Sequence, residues 1–142
     1  MQIVMNKLIP NQNCTSIKVS LQSRTTKNTE NIFAMHDQIT LYKQIYPSQC
    51  PTLANLGYKS LINLRFDDES QNQPNSDAIS NSALASGLVY HHLPVSGDHL
   101  SNDVVQHFAK LIAHLPKPVM VFCHSGSRAK RLYQSALISG LI

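Results

Sequence analysis

Hydrophobic and polar positions follow two regimes along this chain. Residues 1–35 are rich in Asn, Gln, Ser, Thr and Lys and keep no steady period, which predicts a loosely ordered, dispensable N-terminal segment. Beyond it, short apolar runs alternate with amphipathic stretches, so residues 36–142 are assigned to one domain. Lys43–Tyr46 is expected as a short strand closed by Pro47. Pro51 suits the first turn of a brief helix over Thr52–Leu56, with Gly57 as its stop. Tyr58–Arg65 has an apolar centre and reads as a strand, and residues 67–76 form a polar loop. Ser76 or Asp77 can cap a helix that runs to Ser86 and stops at Gly87.

The second half repeats the alternation. Leu88–Leu93 is a strand, followed by the loop Pro94-Val-Ser-Gly-Asp98. Ser101 is a suitable N-cap, with Asp103 favourable in the first turn. Val104, Val105, Phe108, Leu111, Ile112 and Leu115 recur at helical spacing until Pro116. Pro118–Cys123 is a wholly apolar run of the kind that fills a central parallel strand. A last helix starts near Ser127 or Arg128 and turns Leu132, Ala136 and Leu137 inward. Strands alternating with helices predict an α/β fold with a mostly parallel central sheet flanked by helices. Such sheets bind ligands at the carboxyl ends of their strands. Asp67, Asp98 and Cys123 all fall there.

The formal net charge of +4 changes little once it is located. Residues 1–29 hold Lys7, Lys18, Arg24 and Lys27 and no acid, while the rest of the chain is balanced. There is no basic stripe with interleaved aromatics, so nucleic acid is not expected as a partner. No apolar run approaches the roughly 20 residues of a membrane span. Three widely spaced cysteines, Cys14, Cys50 and Cys123, do not resemble a disulfide framework, and a reducing, cytoplasmic setting follows.

The chemistry concentrates at Cys123-His-Ser-Gly-Ser-Arg128, between the last strand and the last helix. His124, Ser125, Gly126 and Ser127 form a short loop of mostly small residues whose backbone N–H groups can curl inward around an anion. The following helix adds positive potential, and Arg128 offers a planar, bidentate fork. The same field favours the thiolate of Cys123, which makes it a nucleophile beneath a bound oxyanion. A cysteine at the end of a core strand is more commonly an inert packing residue. Gly126 and Arg128 at these offsets set this one apart. Phosphorylated or other oxyanionic substrates are the expected ligands, and nothing in the sequence calls for a cofactor.

Four segments carry a resemblance: Tyr46-Pro-Ser-Gln49, Leu61-Ile-Asn-Leu-Arg65 followed by acids, Tyr90-His-His-Leu-Pro-Val-Ser-Gly97, and the Cys123 loop. In this order and spacing, from Ile45 to Ile142, the chain resembles the phosphatase-like domain of the beta-lactamase hydrolase-like (DUF442) family, related to dual-specificity tyrosine phosphatases. The resemblance implies a phosphatase-like fold, with Cys123 as nucleophile and Arg128 as oxyanion clamp. Two features depart from tyrosine phosphatases. Phe122 stands where most of them have His, and four residues rather than five separate cysteine from arginine. His124 stands where this family usually has Arg. The shorter loop is shared with this family and with rhodanese-type sulfurtransferases, which carry sulfur as a cysteine persulfide. The readings are therefore a cysteine phosphatase acting through a phosphocysteine, a sulfurtransferase using the same cysteine, or a non-catalytic anion-binding module.

A cysteine phosphatase also needs a carboxylic acid to protonate the leaving oxygen. Asp98 is the leading candidate, and Asp67 and Asp68 are the alternatives, with Arg65 able to tether one of these loops by an ion pair. His91 and His92 point to opposite faces of a strand, and His99, His107 and His114 show no ligand spacing, so no metal site is expected. Cys50 is a resolving thiol only if it lies near Cys123.

Overall fold

Ile39–Tyr42 forms the first strand, β1, four residues earlier than the pattern predicts. The backbone of residues 43–46 is taken up by loop contacts instead. The Gln44 amide donates to the His124 carbonyl (3.2 Å), and the Tyr46 amide donates to the Gln49 side chain (2.8 Å). The latter bond opens a 3-10 turn, Pro47–Gln49, that runs into helix α1, Cys50–Asn55. Gly57, at φ 105°, supplies the left-handed residue that stops it. The computed structural model describes residues 38–142, of which Tyr42–Ile142 form one compact unit. The N-terminal segment expected over residues 1–35 lies outside the described residues.

The remaining elements follow the predicted alternation: β2 (Ser60–Asn63), α2 (Ser76–Ala85), β3 (Val89–His92), α3 (Asn102–His114), β4 (Val119–Phe122) and α4 (Ser127–Ile138). Asn75, not Ser76 or Asp77, caps α2, because its side-chain oxygen accepts the Ala78 amide at 2.8 Å. Ser101 caps α3 as expected, accepting from the Val104 amide. Among the described residues, no helix is long and apolar enough to cross a membrane.

The strands stand in the order β1-β4-β2-β3, and β2 pairs in parallel with both β3 and β4. Every residue of β2 and β4 is buried, as befits central strands; β4 is wholly apolar, while β2 is apolar only at Leu61 and Ile62. Successive side chains alternate between the two faces. Leu61, Met120 and Phe122 join Cys50, Leu53, Ile79 and Ala83 in one cluster with α1 and α2. Ile62, Val119 and Val121 point the other way. Phe122 is therefore a core residue of the first face, and alternation turns Cys123 away from it.

Register sets the floor of the site. Asn63 is level with both His92 and Phe122, so β2, β3 and β4 end together. The ladder continues one step further, with Leu64 N–H donating to Phe122 O (3.0 Å) and Leu93 N–H to Asn63 O (2.8 Å). The segments carrying Arg65, the Pro94–Asp98 loop and Cys123 thus leave the sheet at one edge.

Candidate functional site

Cys123 leaves β4 with its amide bonded to the Tyr42 carbonyl (3.3 Å), and the residue is only 1% exposed. The chain then turns back on itself. Gly126 adopts φ 98°, a left-handed conformation that glycine enters freely, and serves as N-cap of α4. That turn aims the Gly126 amide at Cys123 Sγ, 3.1 Å away. The sulfur thus sits beneath a backbone donor at a helix N-terminus. His124, Ser125 and Ser127 lie exposed around it, with the two serine hydroxyls 3.2 Å apart.

Arg128, in the first turn of α4, is held from three sides. Its Nη1 donates to Glu69 Oε2 (2.8 Å), to the Val95 carbonyl (3.0 Å) and weakly to the Leu64 carbonyl (3.3 Å). Its Nη2 donates to Glu69 Oε1 (3.0 Å), which completes a two-pronged ion pair. Among the described residues, nothing accepts from Nε or from the second Nη2 hydrogen. Those two donors share one edge of the guanidinium, which suits a bidentate oxyanion. Gly97 lies against the same edge, and a Cβ there would stand 3.8 Å from Nε.

Glu69 is the residue that sequence reasoning missed. It is one of three acids in a polar loop, Asp67, Asp68 and Glu69, and no local signal separates it from its neighbours. Arg65, 4% exposed, donates from Nε to Glu69 Oε1 (2.9 Å) and from Nη1 to the Gln44 side chain (2.7 Å). The Phe66 amide adds a further bond to Glu69 Oε2 (2.9 Å). The tether foreseen for Arg65 exists, with Glu69 as its acid. Hydrogen bonds from Arg128, then Arg65 and the Phe66 amide, outweigh burial and hold the Glu69 carboxyl down to about 2. Such a group stays ionised and is unsuited to donate a proton near neutral pH.

Asn63 supports this assembly from below. Its carbonyl oxygen accepts the Arg65 amide (3.0 Å), and its amino group donates to the Tyr90 hydroxyl (3.0 Å), which in turn meets Ser76 Oγ (2.6 Å). Burial pushes the Tyr90 phenol up, so it serves as a neutral link.

The candidate acids separate. Asp67 accepts the Ser76 amide (2.8 Å) and thereby fastens the start of α2, while Asp68 is exposed at φ 71°. Asp98 is exposed in the loop between β3 and α3, next to Gly97. That loop is tied down: besides the Arg128–Val95 bond, Arg131 Nη2 donates to the Gly97 carbonyl at 2.5 Å. Cys50 is fully buried in the cluster that holds Phe122, and burial pushes its thiol up. It has the surroundings of a packing residue rather than a reactive thiol. His107 and His114 lie on the exposed side of α3, and His92 bonds the Arg65 carbonyl (2.5 Å).

Residues 31–138 match the family described as beta-lactamase hydrolase-like protein, phosphatase-like domain. A beta-lactamase hydrolase-like protein of Xylella fastidiosa (strain Temecula1) is 36% identical over 110 residues, covering 77% of this chain and 26% of that protein. Its counterpart in Agrobacterium fabrum (strain C58) is 32% identical over 99 residues, covering 70% and 23%. The chain thus spans about a quarter of the length of these relatives. Among solved structures, a candidate phosphatase of Neisseria meningitidis superposes with TM-score 0.64 at 28% identity, over 68% of each chain. A DUF442 protein of Shewanella putrefaciens shares the fold, with TM-score 0.62 at 21% identity over 72% of this chain and 67% of that one.

Proposed function

The chain belongs to the phosphatase-like domain family of beta-lactamase hydrolase-like proteins, and on that footing we propose that it is a cysteine-dependent phosphatase. The observation that carries this reading is the pairing of Cys123 Sγ under the Gly126 amide with an Arg128 guanidinium fixed so that its Nε edge stays open.

The Cys123 thiolate attacks the phosphorus of a bound monoester, and the bond from phosphorus to the leaving oxygen breaks. Asp98, as a carboxylic acid, gives its proton to that oxygen. Arg128 and the loop amides hold the equatorial oxygens as charge shifts among them. In the second half, the Asp98 carboxylate takes a proton from water as the water attacks phosphocysteine. The sulfur–phosphorus bond breaks, and inorganic phosphate and thiolate are released.

The first test is hydrolysis of p-nitrophenyl phosphate by the reduced protein, with Cys123→Ser as control. Turnover that vanishes in the variant supports the reading. Wild-type turnover no greater than the variant's rejects it, and sulfur transfer from thiosulfate to cyanide through a Cys123 persulfide then takes its place.

A further inference from the structure

Asp98 itself has little to hold it. It is exposed, and among the described residues its carboxylate has no hydrogen-bond or ion-pair partner. The peptide unit that leads into it, however, is held at both ends. The Gly97 carbonyl accepts from Arg131 Nη2 (2.5 Å), and the Asp98 N–H donates to Ser96 Oγ (3.2 Å). That carbonyl and that N–H belong to one planar group, which also contains the Asp98 Cα. Fixing both polar ends fixes the plane, and with it the point from which the Asp98 side chain departs. Two residues earlier, Val95 is pinned by Leu64 through its amide (2.9 Å) and by Arg128 through its carbonyl (3.0 Å).

Arg128 and Arg131 are three residues apart on α4 and so share a face. The helix that orients the oxyanion clamp is therefore bonded, one turn on, to the backbone of the loop that carries the acid. We propose that Arg131 is the positioning residue for Asp98, setting the acid against the leaving oxygen while taking no part in the chemistry. This rests on the reading of Asp98 as general acid. A surface hydrogen bond that only adds stability would look the same in a melting curve, so the distinction lies in which substrates suffer.

Protonation matters most when the leaving group is a poor one. The experiment compares kcat/KM for p-nitrophenyl phosphate, whose leaving group departs readily, with phenyl phosphate, whose leaving group needs the proton. The wild type is measured beside Asp98→Asn, Arg131→Ala, Arg131→Lys and Ser96→Ala. The expected result is that Arg131→Ala loses about tenfold more on phenyl phosphate than on p-nitrophenyl phosphate, the displacement of a group by about an ångström being enough for such a loss. Arg131→Lys restores part of it, and Ser96→Ala, which frees the other end of the same peptide, shifts the ratio in the same direction. If Asp98→Asn shifts the ratio but neither Arg131→Ala nor Ser96→Ala does, the positioning role is overturned and Asp98 stands as the acid. If Asp98→Asn leaves the ratio untouched, the acid assignment fails, and this inference falls with it. Should Arg131→Ala not fold, Ser96→Ala and Arg131→Lys decide the matter.

Discussion

Glu69 grips both terminal nitrogens of Arg128, at 2.8 and 3.0 Å, across 59 residues of sequence. The pair occupies one edge of the guanidinium and leaves the Nε edge without an acceptor among the described residues. Arg65, itself anchored by Gln44 and Asn63, holds Glu69 from the other side. A long, flexible side chain is thereby made a fixed part of the site. Pre-orientation of this kind is what an oxyanion clamp requires, since ordering the side chain at the moment of binding would cost affinity.

On the proposed phosphatase reading, replacing Glu69 by Gln should weaken catalysis without touching Cys123. One prong of the pair is lost, and Arg128 and Arg65 face each other with less counter-charge. We expect kcat/KM for p-nitrophenyl phosphate to fall by about 10- to 100-fold. Stability should fall by about 1.5–3 kcal/mol, the usual worth of hydrogen bonds to charged groups. Steady-state kinetics and urea unfolding of the same variant check both.

The same residue makes stability depend on acid. The folded pKa of Glu69, about 2, lies below the ordinary carboxylate range. The unfolded chain therefore takes up this proton first as pH falls. Glu69 contributes its full stabilisation above the unfolded value, and that contribution is lost between about pH 5 and pH 2. Urea midpoints measured across this range should drop more steeply for the wild type than for Glu69→Gln, and equal slopes would contradict the assignment.

Gly126 is tested separately, because its role is conformational. A Cβ there would meet the Tyr42 carbonyl only at 3.6 Å, so space is not the obstacle. The φ of 98° is, and Gly126→Ala should cost about 1–2 kcal/mol. Relaxing that angle turns the Gly126 N–H away from Cys123 Sγ. Alkylation of Cys123 by iodoacetamide at neutral pH should then slow, followed by mass spectrometry of the Cys123 peptide from the native protein.

Cys50 should prove dispensable for turnover. It sits in the core cluster with Phe122 and Ile79. Cys50→Ala should lower stability by about 1 kcal/mol, since it removes only one buried sulfur atom, and leave kcat/KM within about twofold. A large loss of activity at full folding would mean that this thiol takes part in the chemistry after all.

Much of this architecture could be read before any coordinates. The apolar run Pro118–Cys123 specified a buried strand, and Ser101 and Gly87 marked helix ends, because those signals depend on a few neighbouring residues. Two boundaries shifted for equally local reasons: side chains competed with the backbone. Asn75 displaced Ser76 as the α2 cap, and Gln49 drew Tyr46 into a turn where a strand was expected. Arg65 was recognised as a tether, but its partner among the nearby acids was not distinguishable. Asp67, Asp68 and Glu69 are all acids in one polar loop, and only the folded loop shows which of them reaches two arginines.

By itself, the sequence determined the alternation of strands and helices and the presence of a cysteine–arginine loop at a strand-to-helix junction. Both are written in adjacent residues, where periodicity, turn chemistry and spacing act over one or two turns of chain. Only the tertiary structure decided what holds Arg128 and what bears on Asp98. Leu64, Glu69, Val95 and Gly97 reach α4 across 64, 59, 33 and 34 residues. They meet there because parallel pairing ends β2, β3 and β4 at one level, so that three loops distant in sequence emerge at the same edge. Register is a property of the whole sheet, set by which apolar faces can be buried together, and no single segment of the chain contains it.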